Sequence, residues 1–172
     1  PGNGDSMKAI AIIGRNINIA DKYFRIYLRN CLNPYGLNAA EGTVLLNMYE
    51  KHSDTSKNPL NGTTQEELIA GLHYDKGVMT MTMKSLEEKG YVLRSANPDD
   101  SRSYVFTLTG KGNTFKRTLV TILREWAEAL FKGVDEASIG VLEKALDIMS
   151  ENAVAFCESN GIQKENSKAE EI

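Results

Sequence analysis

The side chains with most to offer chemically are cationic or hydroxyl-bearing, and they gather in the middle of the chain. From Lys76 to Arg117 there are eight basic residues against four acidic ones, a local charge of +4 in a chain of net charge −3, so the remainder carries −7. A basic centre between acidic flanks suits a single face that meets an anionic partner; scattered, solvated charge is the bland alternative. Covalent chemistry finds less to work with. His52 and His73 are isolated in sequence, and neither an H-E-x-x-H nor a nucleophile-elbow pattern occurs. Cys31 and Cys157 lie far apart and outside any C-x-x-C spacing. They read as small helix hydrophobes, with a redox-sensing thiol as the alternative. No enzyme, metal site or cofactor is expected.

Those cations need elements to hold them. "NPDDSRSY", Asn97 to Tyr104, is turn chemistry: Pro presets φ, and Asn or Asp side chains bond their own backbone. Tyr91 to Leu93 before it and Tyr104 to Leu108 after it are mostly β-branched or aromatic, so the segment reads as a β-hairpin with a charged tip. Upstream, Asp75 is a good N-cap for "KGVMTMTMKSLEEKG", in which Met79, Thr82, Met83 and Leu86 form one inward stripe and Gly90 ends the helix. The opposite face presents Lys76, Gly77, Thr80, Met81 and Lys84, with no acid before Glu87. A shorter helix precedes it, with Leu68, Ile69 and Leu72 as its apolar side, opened by a capping box of Thr63 with Glu66 or Thr64 with Glu67.

Longer helices flank this centre. Residues 8–31 carry Ile10, Ile13, Ile17, Ala20, Phe24, Tyr27 and Cys31 as one stripe, ended by Asn33-Pro34 and Gly36. Asn38 caps the next helix, with Glu41 completing the box and Val44, Leu45 and Met48 inward. A polar loop, "SDTSKNPLNG", follows. After the hairpin, Thr109 caps a helix striped by Phe115, Leu119, Ile122, Leu123, Trp126 and Leu130; Gly133 breaks it. A last helix from about Asp135 to Phe156 repeats Ile139, Leu142, Leu146, Met149 and Val154. The tail "QKENSKAEEI" reads as disordered.

Two short helices and a hairpin are the order of a winged helix-turn-helix, whose second helix enters the major groove of DNA by its N-terminal half. Winged helices also serve as protein-interaction modules, which leaves a second reading without operator binding. A compact winged domain does not need three long apolar-striped helices at its chain ends, so a homodimer that buries them is expected. The fold class is therefore mainly α with a small β wing. Residues 38–114 form the winged domain, 7–37 and 115–160 a helical dimerisation region, and 161–172 a disordered tail. No apolar run approaches the ~20 residues of a membrane span. "PGNGDS" ahead of Met7 lacks the features of a signal peptide and reads as a remnant of expression, so a cytoplasmic protein is expected.

The run from Thr64 to Gly112 resembles the MarR family of bacterial transcriptional regulators. The pieces that carry the likeness are "TQEEL", "DKGVMT", "LEEKGYV", "NPDDSR" and "LTGKG", in order and at the family's spacing. The resemblance implies a homodimer that binds a pseudo-palindromic operator in double-stranded DNA. It also implies release when a small molecule, often aromatic or anionic, or an oxidant perturbs the dimer. Carried over by position, the DNA-binding set is Thr64, Gln65, Lys76, Gly77, Thr80, Met81, Lys84, Arg94 and Arg102. Asp99 shapes the turn, and Asp100 orients Arg102 as the family's aspartate does. The chain departs in having Met81 where the family usually keeps an arginine, Ser101 where the wing tip usually has a second basic residue, and a longer loop from Ser53 to Gly62. Cys31 lies at the end of the first helix, whereas the family's peroxide-sensing cysteine lies near its start.

Overall fold

The computed structural model describes residues 3–53, 62–100 and 102–162. The helices are α1 (Asn3–Leu32), α2 (Ala39–Ser53), α3 (Gln65–Leu72), α4 (Lys76–Glu88), α5 (Gly110–Leu130) and α6 (Glu136–Ser159), and the strands are β1 (Thr63–Thr64), β2 (Val92–Ala96) and β3 (Tyr104–Leu108). Of the loop expected from Ser53 to Gly62, residues 54–61 fall outside the described residues, as does most of the tail, and Ser53 closes α2. α1 begins at Asn3, so its backbone runs helical through the segment read as foreign to the protein.

Local chemistry accounts for most boundaries. Asn38 and Glu41 form the expected box: Glu41 N–H donates to Asn38 Oδ1 at 2.9 Å and Asn38 N–H to Glu41 Oε2 at 2.7 Å. Before α3 the box uses Thr64 and Glu67, settling the choice between the two threonines; Glu67 N–H donates to Thr64 Oγ1 and Thr64 N–H to Glu67 Oε2. α4 closes on Gly90 at φ 74, with Tyr91 N–H bonded to the Leu86 carbonyl and Gly90 N–H to that of Glu87. A side chain at that φ would be strained, and this pair of bonds turns the chain straight into the wing.

The core lies where the C-terminal end of α1, α2, α3, α4 and the first half of α5 meet. Leu32, Val44, Leu45, Met48, Leu68, Met79, Met83, Leu86 and Leu119 are buried there. The stripe expected on α4, Met79, Thr82, Met83 and Leu86, is its buried face. Truncating any of these large side chains to Ala would cost about 2–5 kcal/mol. α1 is joined to α5 by aromatic packing: Trp126 sits 5.5 Å from Phe24 and 5.3 Å from Tyr27 between ring centroids. The Tyr27 hydroxyl donates to the Ile122 carbonyl at 3.1 Å. Burial, then the neighbouring Cys31 and Glu125, push that phenol up to about 12.

The sheet has the order β1-β3-β2, antiparallel throughout, with Val92 opposite Leu108, Ala96 opposite Tyr104 and Thr63 opposite Phe106. β1 was not legible in the sequence, because two threonines read as a cap rather than a strand. It matters because it ties the start of α3 to the hairpin. The outer helices keep apolar surface in solvent: Ile10, Ile13 and Ile17 on α1, and Leu142, Leu146 and Met149 on α6, are exposed, and α6 has no buried residue.

Candidate nucleic-acid interface

α4 presents its second face outward. Lys76, Gly77, Thr80, Met81 and Lys84 are all exposed, while Met79, Thr82 and Met83 between them are buried. Asp75 fixes where the face begins, because its Oδ1 accepts from Gly77 N–H at 2.7 Å and so engages one of the helix's open N-terminal donors. Lys84 pairs with Glu88 one turn on at 3.7 Å, a solvated contact worth little to stability. Lys76, at the N-terminus, has no acid in its turn.

α3 adds one side chain to this face. Gln65 Nε2 donates to Thr80 Oγ1 at 2.8 Å, and Thr80 in turn donates to the Lys76 carbonyl at 2.7 Å. The helix-turn-helix is thus pinned across its exposed side by a relay of two hydrogen bonds. Thr64, the remaining member of the expected set on this segment, is committed to the cap of α3. Burial alone would raise the Glu67 carboxyl, but the Thr64 backbone N–H, the Thr63 hydroxyl and the charge of Lys51 together hold it below the usual carboxylate range.

The wing supplies the other cations. Arg94, on β2, lays its guanidinium over the Tyr104 ring at 3.4 Å from the centroid, a contact that restricts its rotamers. Tyr104 was missed in the sequence. Its signal is the register: Arg94 pairs with Phe106, which makes Tyr104 its diagonal neighbour on the same face. At the tip, Asp99 N–H donates to Asn97 Oδ1 at 3.0 Å, and Arg102 N–H donates to Asp100 Oδ1 at 3.0 Å. Asp100 thus reaches Arg102 through its main chain. Among the described residues the Arg102 guanidinium makes no ion pair, so the contact of Asp100 with Arg102 falls on the backbone beneath the arginine and not on its side chain.

Behind the interface lies a buried joint that sequence reasoning also missed. Lys89, at the C-terminal end of α4, bonds Glu41 of α2 at 2.6 Å, and Glu41 is fully buried. Lys111 of α5 donates to the Lys89 carbonyl at 2.7 Å and stands 4.2 Å from the centre of the Tyr91 ring. Burial and the facing Glu41 carboxylate raise the Tyr91 phenol. An open cleft of about 430 Å³ lies between Arg25 and Phe24 of α1, Thr43 of α2 and the His73–Asp75 turn that leads into α4.

The sequence and the fold are similar to those of known proteins. The model of the MarR family matches residues 59–104. The HTH-type transcriptional regulator BilQ of Clostridioides difficile is 28% identical over 131 residues, 76% of this chain and 82% of the relative. The fold superposes on the crystal structure of a MarR transcriptional regulator from Methanosarcina mazei with a TM-score of 0.73 and 30% identity, across 85% of this chain and 99% of that one. A mutant MarR from E. coli, crystallised in complex with operator DNA, gives a TM-score of 0.67 at 25% identity over 82% and 95% of the two chains. With the whole of the Methanosarcina regulator matched at that identity, and with the same winged-helix architecture, this chain belongs to the MarR family of transcriptional regulators.

Proposed function

We propose that the chain acts as a homodimer that binds a pseudo-palindromic operator, with α4 in the major groove and the wing arginine in the adjacent minor groove. The observation that carries this reading is the outward face of α4: cations at Lys76 and Lys84, no acid between them, and a start fixed by the Asp75 cap. The wing supports it, since a narrow minor groove concentrates negative potential and favours an inserted arginine, and Arg102 is exposed on a turn set by Asp100. The exposed apolar rows on α1 and α6 supply the surface for a second copy. In the DNA-competent dimer the two recognition helices stand roughly 34 Å apart, one turn of B-DNA.

Release by a small ligand has a natural place in the cleft beside Arg25. A volume of about 430 Å³ suits a small aromatic molecule, and an occupant there would press on the turn that carries Asp75, the residue that starts α4. The test is a binding titration of the full chain with duplex DNA at two salt concentrations. Contacts from Lys76, Lys84 and Arg102 of both copies give a log–log salt slope on the order of −5. Absence of salt-dependent binding at low ionic strength would favour the alternative of a winged-helix protein-interaction module.

A further inference from the structure

One edge of the outward face of α4 is apolar. Met81 is 75% exposed there, with Lys76 and Lys84 both on the same side of it around the helix. A lone exposed methionine means little by itself; its surroundings are what matter. Thr80, the polar residue next to it, has its only proton committed to the Lys76 carbonyl and already accepts from Gln65. It therefore has no donor left for a base edge. Gly77, one turn before Met81, has no side chain, and a Cβ there would meet only the Asp75 carboxylate at 3.0 Å. Helical side chains lean toward the N-terminus, onto the preceding turn. Met81 thus projects over the space Gly77 leaves open, free to meet whatever the face contacts.

We infer that Met81 is a specificity-determining residue that reads the C5-methyl group of a thymine in the major groove. This rests on the operator-binding reading above. The thymine methyl is the one apolar group that base edges display in the major groove, and apolar side chains recognise it by contact. Methionine's flexible, polarisable thioether is well matched to a contact of that kind. Lys76 and Lys84, both to one side of Met81, would hold phosphates there and bring the apolar edge against the bases.

The experiment starts from a pool of duplexes with a randomised centre, from which the full-length protein selects its site. Each thymine of the selected site is then replaced by deoxyuridine, which removes only the methyl group. Burial of one methyl is worth about fourfold in affinity, so replacement of one thymine in each half-site should weaken binding by about tenfold or more. Met81→Ala should bind the thymine and deoxyuridine duplexes equally, Met81→Leu should keep part of the difference, and Met81→Arg should shift selection toward guanine, whose O6 and N7 accept from arginine. Selection of a clear site that is indifferent to every deoxyuridine, or a methyl effect unchanged in Met81→Ala, overturns the inference and leaves operator binding intact. Failure to enrich any sequence above non-specific binding overturns the operator reading, and the inference with it.

Discussion

Lys89 Nζ stands 2.6 Å from Glu41 Oε1, and the pair joins the C-terminal end of α4 to the N-terminal turn of α2. Each charge sits at the helix end where it complements the local dipole, the acid near an N-terminus and the cation near a C-terminus. Glu41 is fully buried, and its second oxygen holds the Asn38 cap, so each carboxylate oxygen has a partner. The angle between α2 and α4 is thereby fixed by a bond as well as by packing.

Removing the cation leaves the acid buried without its partner. Lys89→Met should destabilise the fold by about 2–3 kcal/mol, at or below the usual range for a broken buried pair because water reaches a third of the lysine side chain. Glu41→Gln keeps an oxygen for the Asn38 cap and should cost less. Urea denaturation of the two variants beside the wild type measures both, and equal stability of Lys89→Met would show that the pair contributes nothing.

Gly112, in the first turn of α5, admits no larger residue. A Cβ there would sit inside van der Waals contact with the Tyr91 carbonyl oxygen, and the Gly112 carbonyl also accepts from the buried Tyr49 hydroxyl at 2.7 Å. Gly112→Ala should cost about 1–3 kcal/mol, as overpacking does, despite alanine's better helix propensity. Gly110→Ala, where nothing lies within 4 Å, is the control and should be neutral or slightly stabilising by thermal melting.

The α3 cap makes stability depend on pH in a defined direction. Glu67 has a lowered carboxyl in the folded chain. Its contribution is therefore fully present above its unfolded pKa, about 4.3, and is lost as the pH falls through the folded value. Asp135, lowered by the Ser138 hydroxyl and backbone N–H at the start of α6, acts in the same sense. Glu67→Gln keeps an acceptor for the Thr64 N–H and loses only the charge, so it should be less stable than the wild type at pH 7 by about 0.5 kcal/mol, the usual worth of an exposed acid at a helix N-terminus, and the gap should narrow by pH 3. A gap that stays constant between those limits would remove the ionised carboxylate from the account.

At the wing, Arg102→Ala should reduce DNA affinity about tenfold while leaving stability within about 0.5 kcal/mol, as for exposed residues generally. Asp100→Ala should also weaken binding, although it removes a negative charge, because it releases the Arg102 N–H that Oδ1 holds. Asp100→Asn keeps an acceptor and should restore most of the affinity. Tighter binding by Asp100→Ala would mean that the acid is merely tolerated beside DNA.

The exposed row on α6 should be the quickest part of the dimer reading to test. Static light scattering should give twice the chain mass, and Leu146→Glu should shift the equilibrium toward monomer, because a charge would enter a buried apolar seam. A monomeric wild type at micromolar concentration would remove the dimer.

What the sequence determined by itself is whatever depends on near neighbours along the chain. The stripe of Met79, Thr82, Met83 and Leu86, the caps at Asn38, Asp75 and Thr109, the stop at Gly90 and the hairpin around Asn97 to Ser103 all follow from helical periodicity or local cap and turn chemistry. These also placed Lys76, Thr80, Met81 and Lys84 outward, since a helix with one face buried has no choice about the other. Tertiary structure decided the contacts that join distant segments: Glu41 with Lys89, Lys111 with the Lys89 carbonyl, Gln65 with Thr80, and Arg94 on Tyr104. It also decided that Thr63 and Thr64 form a strand, because a two-residue strand exists only by virtue of the partner that bonds to it. Charged and polar side chains carry no periodic signal of their partners. Which cation meets which acid is fixed only when packing of the apolar faces sets the helix angles, and in this chain those angles bring a buried glutamate to the end of the helix that faces outward.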